Sequence, residues 1–105
     1  QLGFNVSVVI TDTFGRPWRH GTTDVAIGVS GIEPLKDYRG LVDPYGYPIR
    51  ISISAIADEI ASAAELVAGK IDMVPVVIVR GYEYTVTEAS SIKQLIREAE
   101  SDLFR

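Results

Sequence analysis

Hydrophobic and polar positions along the chain predict strands near its start and one clear helix in its middle. Residues 5–11 form a β-branched run that ends at turn-prone residues, which predicts a first strand. Residues 12–23 contain two Gly and one Pro, which predicts a loop. Residues 25–29 predict a second strand, and the Gly28 within it indicates that another part of the chain approaches the backbone closely.

Residues 31–48 are rich in turn-forming Gly and Pro and predict a long, ordered loop. A connection of this length in a compact domain is usually functional or packed against a partner. Residues 49–53 then predict a brief strand.

The clearest pattern predicts a helix that runs to about Val67. Either Ser52 or Ser54 can cap its first turn, and Gly69 is its stop signal. The apolar side comprises Ile53, Ile56, Ala57, Ile60, Ala64 and Val67. The other side of this helix is predicted to be polar and is lined by Asp58, Ser62 and Glu65. For the adjacent acidic pair Asp58 and Glu59, a solvated face and a buried cap partner are both open.

Residues 74–79 are almost entirely apolar, which predicts a central strand covered on both faces. Residues 82–86 can extend the sheet, and Ser90 or Ser91 can cap a final helix over residues 92–101. The fold class predicted is therefore α+β, a mixed sheet of about three to five strands with two main helices. We expect residues 1–105 to form a single domain.

Composition narrows the range of functions. The 105 residues carry a formal net charge of −4 with scattered basic residues, so we expect no nucleic-acid partner. No apolar run approaches the roughly 20 residues that a membrane span needs, and no leader pattern precedes a cleavage site, so we expect a cytoplasmic protein. The absence of Cys leaves oxygen ligands, and any metal would be a hard cation such as Mg²⁺ or Mn²⁺.

Carboxylate, hydroxyl and guanidinium groups follow one another after the first strand. Asp12 and Thr13 are suitable ligands for a divalent metal, and Arg16 and Arg19 can donate paired hydrogen bonds to phosphate or carboxylate oxygens. The structural alternative is that Asp12 or Thr13 caps a turn while the two Arg residues form surface ion pairs.

The connection after the helix is a second candidate, because one Gly and one Lys in it can meet a phosphate. It lacks the spacing of a phosphate-binding loop and follows the carboxyl end of the helix, so a plain helix C-cap is the alternative. Its residues are Ala68, Gly69, Lys70, Ile71, Asp72, Met73, Val74 and Pro75.

Several segments together resemble the coenzyme F420-0:γ-glutamyl ligase family. They stand in the family's order and cover nearly the whole chain. The segments are residues 10–19 (ITDTFGRPWR), 24–29 (DVAIGV), 43–46 (DPYG), 57–61 (ADEIA), 64–70 (AELVAGK), 75–81 (PVVIVRG) and 101–105 (SDLFR).

The resemblance implies an enzyme that uses GTP and Mn²⁺ or Mg²⁺ to attach L-glutamate to coenzyme F420-0 through an acyl phosphate. It implies that Asp12 and Thr13 bind metal and that residues 68–75 form the guanine-nucleotide loop. Roles for Arg16 and Arg19 in contacting phosphate or substrate are our own inference.

The family's proteins are about twice this length and form interlocked homodimers, so the resemblance implies the C-terminal half of a larger ligase fold that is catalytically incomplete alone. Some members have an acidic or amide residue near the position of Lys70, where it helps to bind a second metal. Two alternatives remain open: a non-catalytic dimerisation or interaction module that complements a separate N-terminal half, and a domain of a fusion protein with a redox domain after Arg105.

Overall fold

The fold is organised by an antiparallel pair of strands with a helix packed on the second strand. A computed structural model of the chain describes residues 6–50 and 52–99. Strands β1 and β2 form one antiparallel sheet, and β3 and β4 form another. Helix α1 follows β4, and a 3₁₀ turn lies near the end of the described chain. The bounds are β1 Val8–Gly15, β2 Thr22–Ser30, β3 Lys36–Asp37, β4 Ile53–Ser54, α1 Ile56–Ala68 and the 3₁₀ turn Ile92–Leu95.

These elements confirm the mixed α and β fold class. The most buried side chains come from β2, the segment that follows it and α1. They are Ala26, Ile32, Pro34, Ile56, Ala57 and Ala61. Within the described residues, no helix has the length and apolar character needed to cross a membrane.

Strand β1 begins and ends later than the sequence predicts. Residues 12–15, predicted as loop, continue the strand and pair with β2, and the connection shrinks to residues 16–21. The ladder to β2 prevails over the turn preference of Asp12, because cross-strand hydrogen bonds and β-branched Thr side chains favour extended backbone. Part of the predicted strand, at Asn5, lies outside the described residues.

The close approach predicted at Gly28 is confirmed. Gly28 is the register partner of Ile10, next to an irregularity between Ile10 and Thr11. A Cβ added at Gly28 would lie 3.4 Å from the Ile10 side chain. The missing side chain of Gly28 therefore makes room for Ile10 to pack across the strand.

Helix α1 docks on β2 through buried Ala residues, as predicted for Ala57, and also through polar residues from its other side. The backbone N–H of Ala26 donates to Asp58 Oδ1 at 2.9 Å, and Ser62 Oγ donates to the Asp24 carbonyl at 2.9 Å. On the same helix Ala57 and Ala61, which are 0% and 1% exposed, are small enough to allow a close approach. Part of the predicted polar side thus anchors the helix, because side chain–backbone hydrogen bonds satisfy polar groups at the contact.

The two ends of α1 differ in how well the sequence predicts them. The predicted caps Ser52 and Ser54 are wrong. The N-cap is Ala55, whose methyl side chain cannot accept a hydrogen bond, and Ser54 belongs to β4, where it pairs with Lys36. At the other end Gly69 is the C-cap, as predicted, with a φ of 67° that favours glycine.

The segment after α1 carries the largest differences from prediction. Residues 74–79 are neither paired as a strand nor covered, and Val76 and Ile78 are 75% and 73% exposed. Of residues 82–86, Val86 alone forms a bridge, to Ile32. An apolar run becomes a central strand only when strands flank it and layers cover it, and residues 6–50 and 52–99 supply neither.

The final helix is also shorter than predicted. It is a 3₁₀ turn, Ile92–Leu95, and Ser91 caps it through a reciprocal capping box with Gln94. The other predicted cap, Ser90, instead accepts a hydrogen bond from the N–H of Gly31 at 3.1 Å. The predicted helix end at Ser101 lies outside the described residues.

The predicted loop over residues 31–48 is ordered by local contacts. It contains β3, which pairs with β4. Strand β4 is shorter than the strand predicted at residues 49–53 and starts at Ile53. Asp43 Oδ1 accepts the N–H groups of Tyr45 and Tyr47, both at 2.9 Å. Arg39 and Asp37 form an exposed ion pair with a nitrogen–oxygen distance of 2.6 Å.

The Asp58 contact makes a first testable prediction. Asp58→Ala should lower the free energy of unfolding by about 1–3 kcal/mol, because it leaves a part-buried N–H of β2 without its acceptor. Urea unfolding followed by circular dichroism measures this change. Glu59→Ala is the matched control, since Glu59 is exposed in the same first turn. Equal losses in the two variants would contradict the anchoring role.

The Asp37–Arg39 pair makes a prediction about pH. Hydrogen bonds from the Arg39 side chain and backbone lower the pKa of Asp37 from 3.8 to about 2. Because the folded-state pKa is depressed, the contribution of the pair is present above pH 3.8 and is lost as the pH falls toward 2. Carboxyl ¹³C NMR should show this low midpoint, and Arg39→Ala should return it toward 3.8. A midpoint unchanged by Arg39→Ala would contradict the assigned cause.

Candidate functional site

The ammonium group of Lys70 joins the two candidate sites of the sequence. Its Nζ lies 2.9 Å from Thr13 Oγ1, although the two residues are 57 positions apart. The same nitrogen lies 3.1 Å from Asp24 Oδ1 and 3.2 Å from Glu65 Oε1. We call Thr13, Asp24, Glu65 and Lys70 the lysine cluster.

Each member of the lysine cluster is placed by an element of the fold. Thr13 and Asp24 are direct partners in the β1–β2 ladder, and Thr13 Oγ1 lies 3.3 Å from Asp24 Oδ1. Glu65 occupies the last turn of α1, and its carbonyl accepts the N–H of Gly69 at 2.9 Å. The positive φ of Gly69 turns the chain out of the helix, and Lys70 follows directly.

Charge complementarity holds the cluster together. The hydrogen bond to Asp24 is the largest cause that raises the pKa of Lys70 above its ordinary value of 10.5, and Glu65 adds to it. The carboxyl groups are largely covered, with 15% of the Asp24 side chain and 22% of the Glu65 side chain exposed, while Lys70 is 50% exposed. The ammonium is therefore retained at neutral pH on the rim of the site.

Asp12 is held differently from Thr13. Its Oδ1 accepts the backbone N–H of Thr13 at 2.8 Å, in an exposed position. Successive side chains of a regular strand point to opposite faces, so Asp12 can share a cation with Thr13 only if its side chain turns around the edge of β1. The described structure thus gives Thr13 the Asp24 carboxylate as its close neighbour.

The two candidate Arg residues lie in the connection between β1 and β2. Arg16 Nη2 donates to the carbonyl of His20 at 2.7 Å, which braces the connection. Arg19 is exposed in the same connection. Both residues therefore lie at the end of the hairpin that carries Thr13, and their predicted contacts to phosphate or substrate stay predictions.

The predicted nucleotide loop begins at the end of α1 and runs along the surface. Gly69 lies so close to Asp72 that an added Cβ would be 2.9 Å from Asp72 Oδ2. Ile71 and Met73 are 88% and 94% exposed, and Met73 has a φ of 55°. The left-handed region is sparsely populated by residues other than glycine, and residues held there are often found at ligand-binding sites.

The oxygens of the lysine cluster have the right chemistry for a divalent cation. One hydroxyl and two carboxylates converge on a single positive charge, and such oxygens suit Mg²⁺ or Mn²⁺. Across residues 6–50 and 52–99, however, no three His, Cys, Asp or Glu side chains group as a complete metal site. A metal at Thr13 would need further ligands and would share its oxygens with the Lys70 ammonium.

Sequence reasoning did not select Asp24 or Glu65 as site residues. Asp24 can be identified as a site residue only when the register of the β1–β2 hairpin is known, because that register sets it opposite Thr13. Glu65 stands five residues before Lys70, and the turn at Gly69 brings the two side chains together. Both residues lie in segments that resemble the family, residues 24–29 and 64–70, but those segments alone do not indicate that the two carboxylates meet at Lys70.

Comparisons with known proteins agree with these motifs. The family model described as F420-0:Gamma-glutamyl ligase matches residues 1–81. The chain is 44% identical over 105 residues to the Coenzyme F420:L-glutamate ligase of Methanothermobacter thermautotrophicus, covering 98% of this chain and 42% of that protein.

Two further relatives carry the same name. The protein from Halobacterium salinarum is 41% identical, with 99% of this chain and 41% of the relative covered. The protein from Methanopyrus kandleri is 44% identical, with 99% of this chain and 43% of the relative covered. The chain thus spans less than half the length of these curated relatives. Because the family model matches most of the 105 residues, the chain belongs to the F420-0:gamma-glutamyl ligase family.

Proposed function

We propose that this chain forms part of a ligase that joins L-glutamate to coenzyme F420-0 with GTP as the phosphoryl donor. The names of its relatives support the ligase reaction with F420 and L-glutamate. GTP, the acyl phosphate and the divalent metal are implied by the family resemblance and are part of the proposal.

The contact between Lys70 Nζ and Thr13 Oγ1 carries the proposal for this chain. It brings the predicted nucleotide loop against the predicted metal-binding strand, at 2.9 Å. Phosphoryl transfer needs a nucleotide phosphate and a cation at one place, because catalysis relies on positioning and on neutralising charge. A fold that left the two motifs apart would give no reason to assign them to one site.

The proposed reaction has two steps. The γ-phosphoryl group of GTP passes to the terminal carboxylate of F420-0, giving an acyl phosphate and GDP. The amine of L-glutamate then attacks the acyl carbon, an amide bond forms, phosphate leaves and the amine loses a proton. Phosphorylation serves to convert a poor leaving group, a carboxylate oxygen, into a good one.

Residues of this chain have defined roles in the proposal. Residues 68–75 bind the guanine nucleotide, and the Lys70 ammonium donates to its phosphate oxygens. Asp12 and Thr13 bind Mn²⁺ or Mg²⁺, which would neutralise charge on the transferred phosphoryl group. Arg16 and Arg19 donate to phosphate or substrate carboxylate oxygens. The remaining ligands come from parts of the ligase that this chain does not span, and a homodimer is the assembly that the resemblance implies.

A non-catalytic interaction module is the second candidate function. The exposed apolar surface of residues 74–79 favours it, because large apolar patches commonly mark interaction sites. Turnover of GTP that depends on both F420-0 and L-glutamate in the complete ligase decides between the two, since an interaction module has no such activity.

Asp12→Asn tests the metal-binding role. In the complete ligase the variant should lose GTP-dependent glutamate ligation, because it removes a charge that the cation needs. Product formation measured by mass spectrometry should fall more than about tenfold, equivalent to about 1.4 kcal/mol in the barrier. Glu59→Gln, on the exposed side of α1, is the control and should retain activity. Activity of Asp12→Asn within tenfold of the parent would rule out the role.

Lys70→Met tests the nucleotide role. The substitution keeps an unbranched side chain that is one atom shorter and removes the ammonium, so the KM for GTP should rise by at least about tenfold, as expected for a lost charge-assisted hydrogen bond. Steady-state kinetics with GTP as the varied substrate measures the change. Lys93→Met, in the exposed 3₁₀ turn, is the matched control. A KM within twofold of the parent would show that Lys70 only ties the loop to β1.

A further inference from the structure

An apolar groove of about 610 Å³ runs between β1 and the extended segment that follows the nucleotide loop. Residues 6–9 and Thr11 form one wall, and residues 76–80 form the other. Three residues of α1, Ile60, Ala61 and Ala64, contribute to the lining between them. The groove is distinct from the lysine cluster, none of whose members lines it.

The backbone of residues 76–80 has no partner in the described part of the chain. These residues belong to no strand and make no backbone hydrogen bond with another described residue. On the opposite wall, β2 is the partner of β1 within the described residues. Unpaired extended backbone beside an apolar surface is a template for another strand.

The side chains of the segment agree with this interpretation. Val76, Ile78 and Val79 are 75%, 73% and 49% exposed, so several β-branched side chains lie in water. A single additional strand of five or six residues, about 17–20 Å long, would cover much of this surface and supply the missing hydrogen bonds.

We propose that a β-strand from the part of the ligase outside this 105-residue span inserts into the groove and pairs with the backbone of residues 76–80. More than half of each relative lies outside the matched region, because the match covers only 41–43% of their lengths. That length is ample for such a strand. The inference concerns assembly of the fold and does not depend on the ligation reaction.

Amide hydrogen exchange of the complete ligase tests the pairing. The amides of residues 76–80 should exchange at least about 100-fold more slowly than unstructured amides, because strand pairing protects them. Ala64→Arg places a long charged side chain in the groove and should abolish this protection. Ala63→Arg is the matched control, since Ala63 is exposed on α1 and does not line the groove. Unprotected amides in the folded parent protein would overturn the proposal.

Photo-cross-linking identifies the occupant and does not rely on the stability of Ala64→Arg. Benzoylphenylalanine at position 78, an exposed position on the groove wall, should cross-link to a residue of the same polypeptide outside the 105-residue span. The product should run at the mass of one chain, and mass spectrometry should locate the linked peptide in an apolar segment. A cross-link to a second copy, or only to residues within the span, would overturn the proposal. Neither hydrogen exchange nor cross-linking uses GTP or F420-0, so both outcomes would be the same if the proposed ligase activity proved wrong.

Discussion

Hydrogen bonds from the polar side of α1 to β2 are the interaction on which the rest of the structure depends. Asp58 accepts from the backbone of Ala26, and Ser62 donates to the backbone of Asp24. These contacts fix both the rotation of the helix and its position along the strand. As a result, the helix ends where Lys70 can reach Thr13, and two motifs distant in sequence share one site.

Sequence predicts those parts of the fold that depend on local chemistry. Gly69 ends α1 because a positive φ favours glycine. Ser91 caps the 3₁₀ turn because its hydroxyl accepts a backbone N–H of the turn, while the Gln94 side-chain oxygen accepts the backbone N–H of Ser91. Gly28 is identifiable because a missing side chain in a strand indicates a close neighbour. Each of these features is determined by residues close in sequence or by the absence of one side chain.

Features that depend on distant partners are predicted less well. Residues 74–79 have the composition of a central strand, yet the described chain offers them neither neighbouring strands nor a covering layer. Likewise, helical periodicity separates the polar from the apolar side of α1 but does not say which polar residues contact the sheet. Asp24 was missed for the same reason, since only the strand register reveals its position opposite Thr13.

The two sides of α1 therefore have different roles in the molecule. The polar side binds β2 and sets the position of the lysine cluster, while Ile60 and Ala64 on the apolar side line the groove. A strand in that groove would pack on the same helix whose last turn carries Glu65. Rigid packing along α1 would then hold the Glu65 and Lys70 side chains against Thr13. Completion of the core and stability of the site are in this way coupled through one helix, because both depend on where α1 lies.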